Sequence, residues 1–113
     1  MQMIKKSRIF EVYEERGKKR ILLYTKNLTP GMKVYGERLV GKDNCEYREW
    51  DPTKSKLAAM ILKGAPNVGI RKGDKVLYLG CSTGTTPSHV SDIIGKDGFL
   101  FGLDPAPRVL RDF

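Results

Sequence analysis

The sequence of this 113-residue chain predicts an α/β fold, with a small antiparallel β module at residues 1–50 and the first half of a doubly wound domain at residues 51–113. A short apolar run at residues 76–79 is typical of a buried parallel strand. It leads into a glycine-containing loop, a segment of helical character and a second apolar run at residues 99–103. This alternation of helix and strand after residue 51 indicates α/β architecture.

The N-terminal part has the composition of short antiparallel strands. Residues 8–13 and 19–24 are rich in β-branched and aromatic residues and flank a turn at residues 15–18, which predicts a β-hairpin. Further turns are expected at residues 29–31 and 41–44, and further strands at residues 34–40 and 46–50.

The second part contains two helix signals. Asp51 is expected to cap a helix over residues 53–62, because Asp is a good N-cap and a proline follows it. Thr86 is expected to cap a second helix that begins at Pro87 and ends at Gly95.

The loop after the first apolar run indicates a nucleotide-type ligand. Gly80 and Gly84 allow close approach to the backbone, and the helix that follows offers N–H groups. Asp104 ends the second run, where such sites bind ribose hydroxyls. Two glycines spaced G-x-x-x-G, followed by hydroxyl residues, differ from the G-x-G-x-x-G of dinucleotide sites. The spacing favours a ligand without a phosphate, S-adenosylmethionine; an NAD-type site and plain helix packing are the alternatives.

The same loop also matches G-x-S-x-G, the nucleophile elbow of serine hydrolases, with Ser82 as the nucleophile. That chemistry needs an acid and then a histidine later in the chain. The single histidine, His89, lies only one or two turns into the next helix. We therefore set the hydrolase aside and expect His89 to be a surface or packing residue.

Composition limits the partners. The formal net charge is +8, from 21 Lys and Arg against 13 Asp and Glu, which favours an anionic partner such as nucleic acid; a solvated basic surface is the alternative.

Cys45 and Cys81 are too few for a metal site or a disulfide framework and predict free thiols and no metal. No apolar window suits a membrane span or a signal peptide, so we expect a cytoplasmic protein.

Several segments closely resemble fibrillarin in its short archaeal form. The strongest are residues 47–52, 55–59, 76–80 and 82–92, and the last of these is specific to the family rather than to methyltransferases at large. Residues 25–28, 30–31, 34–38 and 107–111 fit as well. The eukaryotic Gly/Arg-rich extension is absent, which indicates an archaeal protein.

The resemblance implies a Rossmann-like, S-adenosylmethionine-dependent RNA 2′-O-ribose methyltransferase. In that family the enzyme acts on rRNA, and in archaea on some tRNA, within a box C/D ribonucleoprotein. A guide RNA selects the target nucleotide, a Nop-family scaffold protein holds the enzyme, and a kink-turn-binding ribosomal-type protein anchors the RNA. The eukaryotic relatives are nucleolar.

The resemblance also implies roles for individual residues. Thr85 and Thr86 match the family's cofactor loop, next to the methionine part of S-adenosylmethionine. Asp104 would accept the ribose hydroxyls, and Pro105 would flank the adenine. The alternative for Thr86 is a pure N-cap, and for Asp104 a turn residue at the end of a strand.

Lys56 matches the first lysine of the Lys-Asp-Lys-acid tetrad of related RNA 2′-O-methyltransferases; the alternative is a solvated lysine beside Lys54. The later strands, which carry the rest of that tetrad, are missing, so we expect the chain to be an N-terminal half. An RNA- or protein-binding module without activity of its own is the competing interpretation. Trp50 and Tyr47 are expected to close the β module onto the α/β part rather than to stack on bases.

Overall fold

The computed structural model describes residues 3–80 and 84–104. Within these residues it contains seven strands and two helices. The strands are β1 (Lys5–Lys6), β2 (Val12–Arg16), β3 (Ile21–Lys26), β4 (Leu39–Lys42), β5 (Cys45–Trp50), β6 (Lys75–Leu79) and β7 (Phe99–Leu103), and the helices are α1 (Lys56–Leu62) and α2 (Thr85–Ile94). None of the described helices is long and apolar enough to cross a membrane.

The first five strands form one antiparallel sheet in the order β1-β2-β3-β5-β4. The predicted hairpin is present as β2–β3, but its turn lies later than expected and closes where Gly17 N donates to Arg20 O at 2.8 Å. The β4–β5 turn places Asp43 and Asn44 at positive φ, which suits a tight hairpin. The antiparallel β module is therefore confirmed.

The prediction of a strand over residues 34–40 is wrong for residues 34–38. The carboxylate of Glu37 turns back and accepts the backbone N–H groups of Val34 at 3.0 Å and Tyr35 at 2.8 Å. These bonds fold residues 34–36 into bends, so the strand β4 begins only at Leu39.

Both helices begin at positions other than those predicted. Asp51 caps a turn, accepting from Thr53 N at 2.8 Å, and α1 takes Ser55 as its N-cap instead. Helix α2 starts at Thr85 with Gly84 as N-cap, at φ 101°, a left-handed conformation that suits glycine. Thr86 is therefore the second residue of α2 and not its cap.

Strands β6 and β7 form a separate parallel pair, joined by α2, as the α/β prediction requires. Helix α2 packs against β7, β3 and α1. The main hydrophobic core draws on the antiparallel sheet and on both helices: Ile9, Val12, Leu23, Trp50, Ala58, Ile61 and Ile93. A division into domains at residue 50 stays a prediction, since this core includes residues from both sides of it.

The two aromatic residues expected to close the module differ in their contacts. Trp50 is fully buried in the shared core, which confirms its predicted role. Tyr47 is also buried, but it packs on the opposite face of the sheet with Ile4, Tyr13 and Tyr24. Alternate residues of a strand point to opposite faces, so two residues three positions apart cannot both face the helices.

Candidate functional site

The carboxyl ends of β6 and β7 lie side by side and place two predicted site residues at one edge. Gly80 follows β6, and its N–H donates to Leu103 O at 2.7 Å, at the end of β7. Asp104 comes next, partly buried. A Cβ at Gly80 would meet no atom of the described residues within 4 Å, and its φ of 73° suits glycine. The backbone of Gly80 is thus open to a ligand at the edge that Asp104 shares.

The N-terminus of α2 follows the same loop. Its first helical bond runs from Ser88 N to Gly84 O at 2.8 Å, and Ser88 Oγ donates to Thr85 O at 2.8 Å. The N–H groups of a first helical turn have no intrahelical acceptor and carry partial positive charge. The first turn of α2 contains no acidic residue. This end can therefore receive a polar or anionic group of a ligand.

Thr86 makes a contact that its predicted role did not include. Its side chain is buried, and Oγ1 donates to Ser55 Oγ at 2.7 Å. The hydroxyl of Thr86 therefore faces α1, and only the backbone of this residue remains for a cofactor. Thr85 is half-buried at the tip of the helix.

The same bond ties Ser55, the residue before Lys56, to the first turn of α2. Ser55 Oγ also accepts from Ala58 N at 3.3 Å, which makes Ser55 the N-cap of α1. The starts of α1 and α2 are thus tied through one hydroxyl pair, and Lys56 follows directly as the first residue of α1, exposed to solvent. Pro105, a predicted cofactor residue, and Ser82, the nucleophile of the hydrolase interpretation that was set aside, lie outside the described residues.

A buried ion cluster, made of Glu37, Arg48 and Asp92, contacts helix α2 near its start. Arg48 Nε is 2.7 Å from Glu37 Oε2, and Arg48 Nη1 is 2.9 Å from Asp92 Oδ2. All three side chains are at most 4% exposed. Arg48 Nη2 also donates to Ser88 Oγ at 2.8 Å, which bonds Thr85 O. The cluster therefore holds the first turn of α2 in place.

Burial perturbs both carboxyl groups of the cluster. It would raise the pKa of Glu37, but hydrogen bonds from the backbone of Tyr35 and Val34 and from Arg48 hold that pKa below its usual value. Burial raises the pKa of Asp92 despite hydrogen bonds from Thr25 and Arg48.

His89 is a packing residue, the second of the two roles expected for it, and not a surface residue. It is fully buried, stacks on Trp50 with ring centroids 4.9 Å apart, and has Nδ1 2.8 Å from Thr25 Oγ1. Its Nε2 lies 2.6 Å from the hydroxyl oxygen of Tyr35. Burial and the positive charge of Arg48 lower the pKa of His89 to about 2. His89 is therefore neutral and structural at physiological pH.

Sequence reasoning gave the ion cluster no role. Its members lie in three of the segments that carry the family resemblance, residues 34–38, 47–52 and 82–92. That coincidence was the one available signal, because ionisable residues inside otherwise specific segments are candidates for buried pairs. No group of three or more His, Cys, Asp or Glu among the described residues is placed to hold a metal ion.

Comparison with known proteins shows relatives for nearly the whole chain. The Fibrillarin family model matches residues 3–113. A fibrillarin-like rRNA/tRNA 2′-O-methyltransferase of Pyrobaculum aerophilum is 52% identical over 105 residues, and its counterpart from Thermococcus sibiricus is 55% identical over 104. These matches cover 93% and 92% of the chain but 44% and 45% of the relatives.

A solved structure agrees with these matches. The fibrillarin of Aeropyrum pernix, crystallised with natively bound S-adenosyl-L-methionine, superimposes with a TM-score of 0.90 at 45% identity, over 97% of this chain and 49% of that one. The chain thus spans about half the length of the proteins it matches. With a family match along almost all of its residues, the chain belongs to the fibrillarin family.

Proposed function

We propose that this chain is the cofactor-binding half of an S-adenosylmethionine-dependent RNA 2′-O-ribose methyltransferase. The observation that carries the proposal is the convergence at one edge: Gly80 and Asp104 follow neighbouring parallel strands, and Ser55, the residue before Lys56, is bonded to Thr86 in the first turn of α2. The names of the relatives, rRNA/tRNA 2′-O-methyltransferases, support it.

The residues at the edge fit S-adenosylmethionine. The open backbone at Gly80 and the unneutralised N-terminus of α2 suit the methionine end, whose carboxylate would meet the N–H groups of Thr85 and Thr86. The carboxylate of Asp104 would accept the two ribose hydroxyls. Pro105 would flank the adenine.

When bound, S-adenosylmethionine supplies an activated methyl group, so the protein must chiefly align the acceptor and assist its deprotonation. Lys56 is the residue suited to this task. An ammonium group held at the start of α1 would attract the target 2′-hydroxyl and favour its alkoxide character by electrostatic stabilisation. Lys56 would then act on the reacting hydroxyl and leave cofactor affinity nearly unchanged.

We further propose the setting in which this half works. The formal charge of +8 suits an RNA partner. In the box C/D particle of the family, a guide RNA would pair with the rRNA or tRNA target, a Nop-family scaffold would hold the enzyme, and a kink-turn-binding protein would anchor the guide. For an archaeal protein, we propose that this reaction takes place in the cytoplasm.

Lys56→Ala tests the assignment in the assembled particle, with guide RNA, scaffold proteins and the missing half of the enzyme. Methylation is expected to fall about a hundredfold, a typical effect of losing a positioned charge, with S-adenosylmethionine binding unchanged by calorimetry. Lys54→Ala is the matched control, because Lys54 is also exposed but lies over the Tyr35 ring at 5.6 Å. Normal methylation by Lys56→Ala would refute the role.

A binding module without activity of its own is the second candidate. It is favoured by one fact: the chain spans about half of its relatives. The two candidates differ in a simple assay. A module would retain RNA or scaffold binding and gain no methyl transfer when the second half is added, whereas the enzyme half would gain it.

A further inference from the structure

The guanidinium of Arg48 is held in one orientation by the buried ion cluster. Its Nε and Nη1 atoms lie 2.7 Å from Glu37 Oε2 and 2.9 Å from Asp92 Oδ2. The remaining nitrogen, Nη2, donates to Ser88 Oγ at 2.8 Å. Because the guanidinium is planar and its donors form a rigid fork, the two carboxylates direct Nη2 at Ser88.

Both carboxylates are in turn fixed by the antiparallel part of the fold. Glu37 accepts N–H groups from the bend at residues 34–36, and Asp92 Oδ2 accepts from Thr25 Oγ1, on β3, at 2.7 Å. A buried ion pair is often no more stabilising than apolar residues of similar volume. Stability alone therefore does not explain the cluster, and the hydrogen bond from Arg48 to α2 indicates a further role.

Ser88 extends this constraint to the backbone of the first turn of α2. Its Oγ accepts from Arg48 and donates its single proton to Thr85 O at 2.8 Å. The carbonyl of Thr85 and the N–H of Thr86 belong to one peptide group, which is planar and trans. A carbonyl that is held on one side of this plane therefore fixes the direction of the Thr86 N–H on the other side.

The N–H groups of Thr85 and Thr86 are the donors of this turn that lack an acceptor within the helix. Pro87 has no N–H, and Ser88 N donates to Gly84 O at 2.8 Å. Two adjacent N–H groups at a helix start suit the two oxygens of one carboxylate. In the proposed function, that carboxylate belongs to the methionine end of S-adenosylmethionine.

We propose that Arg48 and Ser88 are positioning residues for the methionine end of S-adenosylmethionine. The series of hydrogen bonds from Arg48 through Ser88 to Thr85 O holds the peptide group that directs the Thr86 N–H at the methionine carboxylate. Both side chains act through this peptide group and not by contact with the cofactor. The inference rests on the proposed function, and it concerns one end of the cofactor only: binding of the nucleoside end should not depend on Ser88.

Two ligands separate the two ends of the cofactor in titration calorimetry. S-adenosylhomocysteine, the demethylated product, has the amino-acid carboxylate, whereas methylthioadenosine has the nucleoside and the sulfur without it. The protein for this test is the chain joined to the part of the family fold that it does not span. Ser88→Ala should weaken the binding of S-adenosylhomocysteine about tenfold, the effect of misdirecting one hydrogen bond to a charged group. The affinity for methylthioadenosine should stay unchanged.

Three further variants make the test specific. Ser88→Thr keeps the hydroxyl and should restore most of the affinity for S-adenosylhomocysteine. Arg48→Lys keeps a positive charge between the carboxylates but has a single nitrogen, so it should reproduce the selective loss. Ser91→Ala is the matched control and should bind both ligands normally, because Ser91 is also half-buried on α2 but its hydroxyl has no hydrogen bond to the described residues.

Four results would overturn the proposal: an equal loss of both ligands in Ser88→Ala, no loss of S-adenosylhomocysteine in that variant, no restoration by Ser88→Thr, or normal binding of S-adenosylhomocysteine by Arg48→Lys. A parent protein that binds both ligands, with Ser88→Ala equal to it, refutes the positioning role alone. A parent protein that binds neither ligand refutes the proposed function, and the positioning role with it.

Discussion

Arg48→Met tests the buried ion cluster, because it removes the cation between two buried carboxylates. The side chains of Arg48, Glu37 and Asp92 are 3%, 1% and 4% exposed, so neither carboxylate can turn to solvent. Breaking a buried pair from one side costs about 3–5 kcal/mol. That loss is a large fraction of the 5–15 kcal/mol typical of a small protein. The free energy of unfolding should therefore fall by about 3–5 kcal/mol.

Arg38→Met is the control. Arg38 also faces two carboxylates, Glu15 at 3.6 Å and Glu49 at 3.4 Å, but it is 53% exposed, and exposed pairs contribute about 0–1 kcal/mol. Urea denaturation at pH 7, monitored by the fluorescence of the single tryptophan, Trp50, measures the free energy of unfolding of both variants. If Arg48→Met loses no more stability than Arg38→Met, the cluster does not lock α2 to the sheet.

Two further predictions concern stability. Folding lowers the pKa of His89 from 6.5 to about 2, so between these values only the unfolded chain binds a proton at this residue. The free energy of unfolding therefore decreases as the pH falls below 6.5, and at pH 5 the loss is about 2 kcal/mol. His89→Gln should remove this part of the pH slope in urea titrations, and an unchanged slope would contradict the burial of a neutral imidazole. Gly98→Ala should destabilise the protein by about 1–3 kcal/mol in thermal unfolding, because the new Cβ would lie 2.7 Å from Asp74 O. Gly41→Ala is the control and should be nearly neutral, since its Cβ would meet no atom of the described residues within 4 Å.

Local signals in the sequence were sufficient for the α/β half. The apolar run before Gly80, the helical segment after it and the run before Asp104 became β6, α2 and β7 in the predicted order. These elements are specified by neighbouring residues: a strand of apolar residues, a glycine where φ is positive, and a helix ended by Gly95.

The features that sequence reasoning missed depend on residues far apart in the chain. Glu37 bends residues 34–36 because its carboxylate is held by Arg48, a contact that no local propensity encodes. The hydroxyl of Thr86 faces Ser55 because α1 packs against α2. In both places a polar group is satisfied by a partner that only the assembled fold supplies.

Gly80 and Asp104 were each expected directly after a strand, and the structure brings those two strand ends together. Lys56 was expected inside the first helix, but it is the first residue of α1 and follows Ser55, whose hydroxyl is bonded to Thr86. The role of the ion cluster in holding the first turn of α2 could not be anticipated, because its members meet only after β5 and α2 have packed.

The central claim is that the edge formed by Gly80, the start of α2 and Asp104 binds S-adenosylmethionine. The most direct test is titration calorimetry of this chain joined to the part of the family fold that it does not span. We predict binding of S-adenosylmethionine and of its demethylated product but not of NAD. Asp104→Ala should weaken binding by about 1–3 kcal/mol, while Asp97→Ala, an exposed carboxylate in the turn before β7, should not. Tight NAD binding, or S-adenosylmethionine affinity unaltered by Asp104→Ala, would contradict the account.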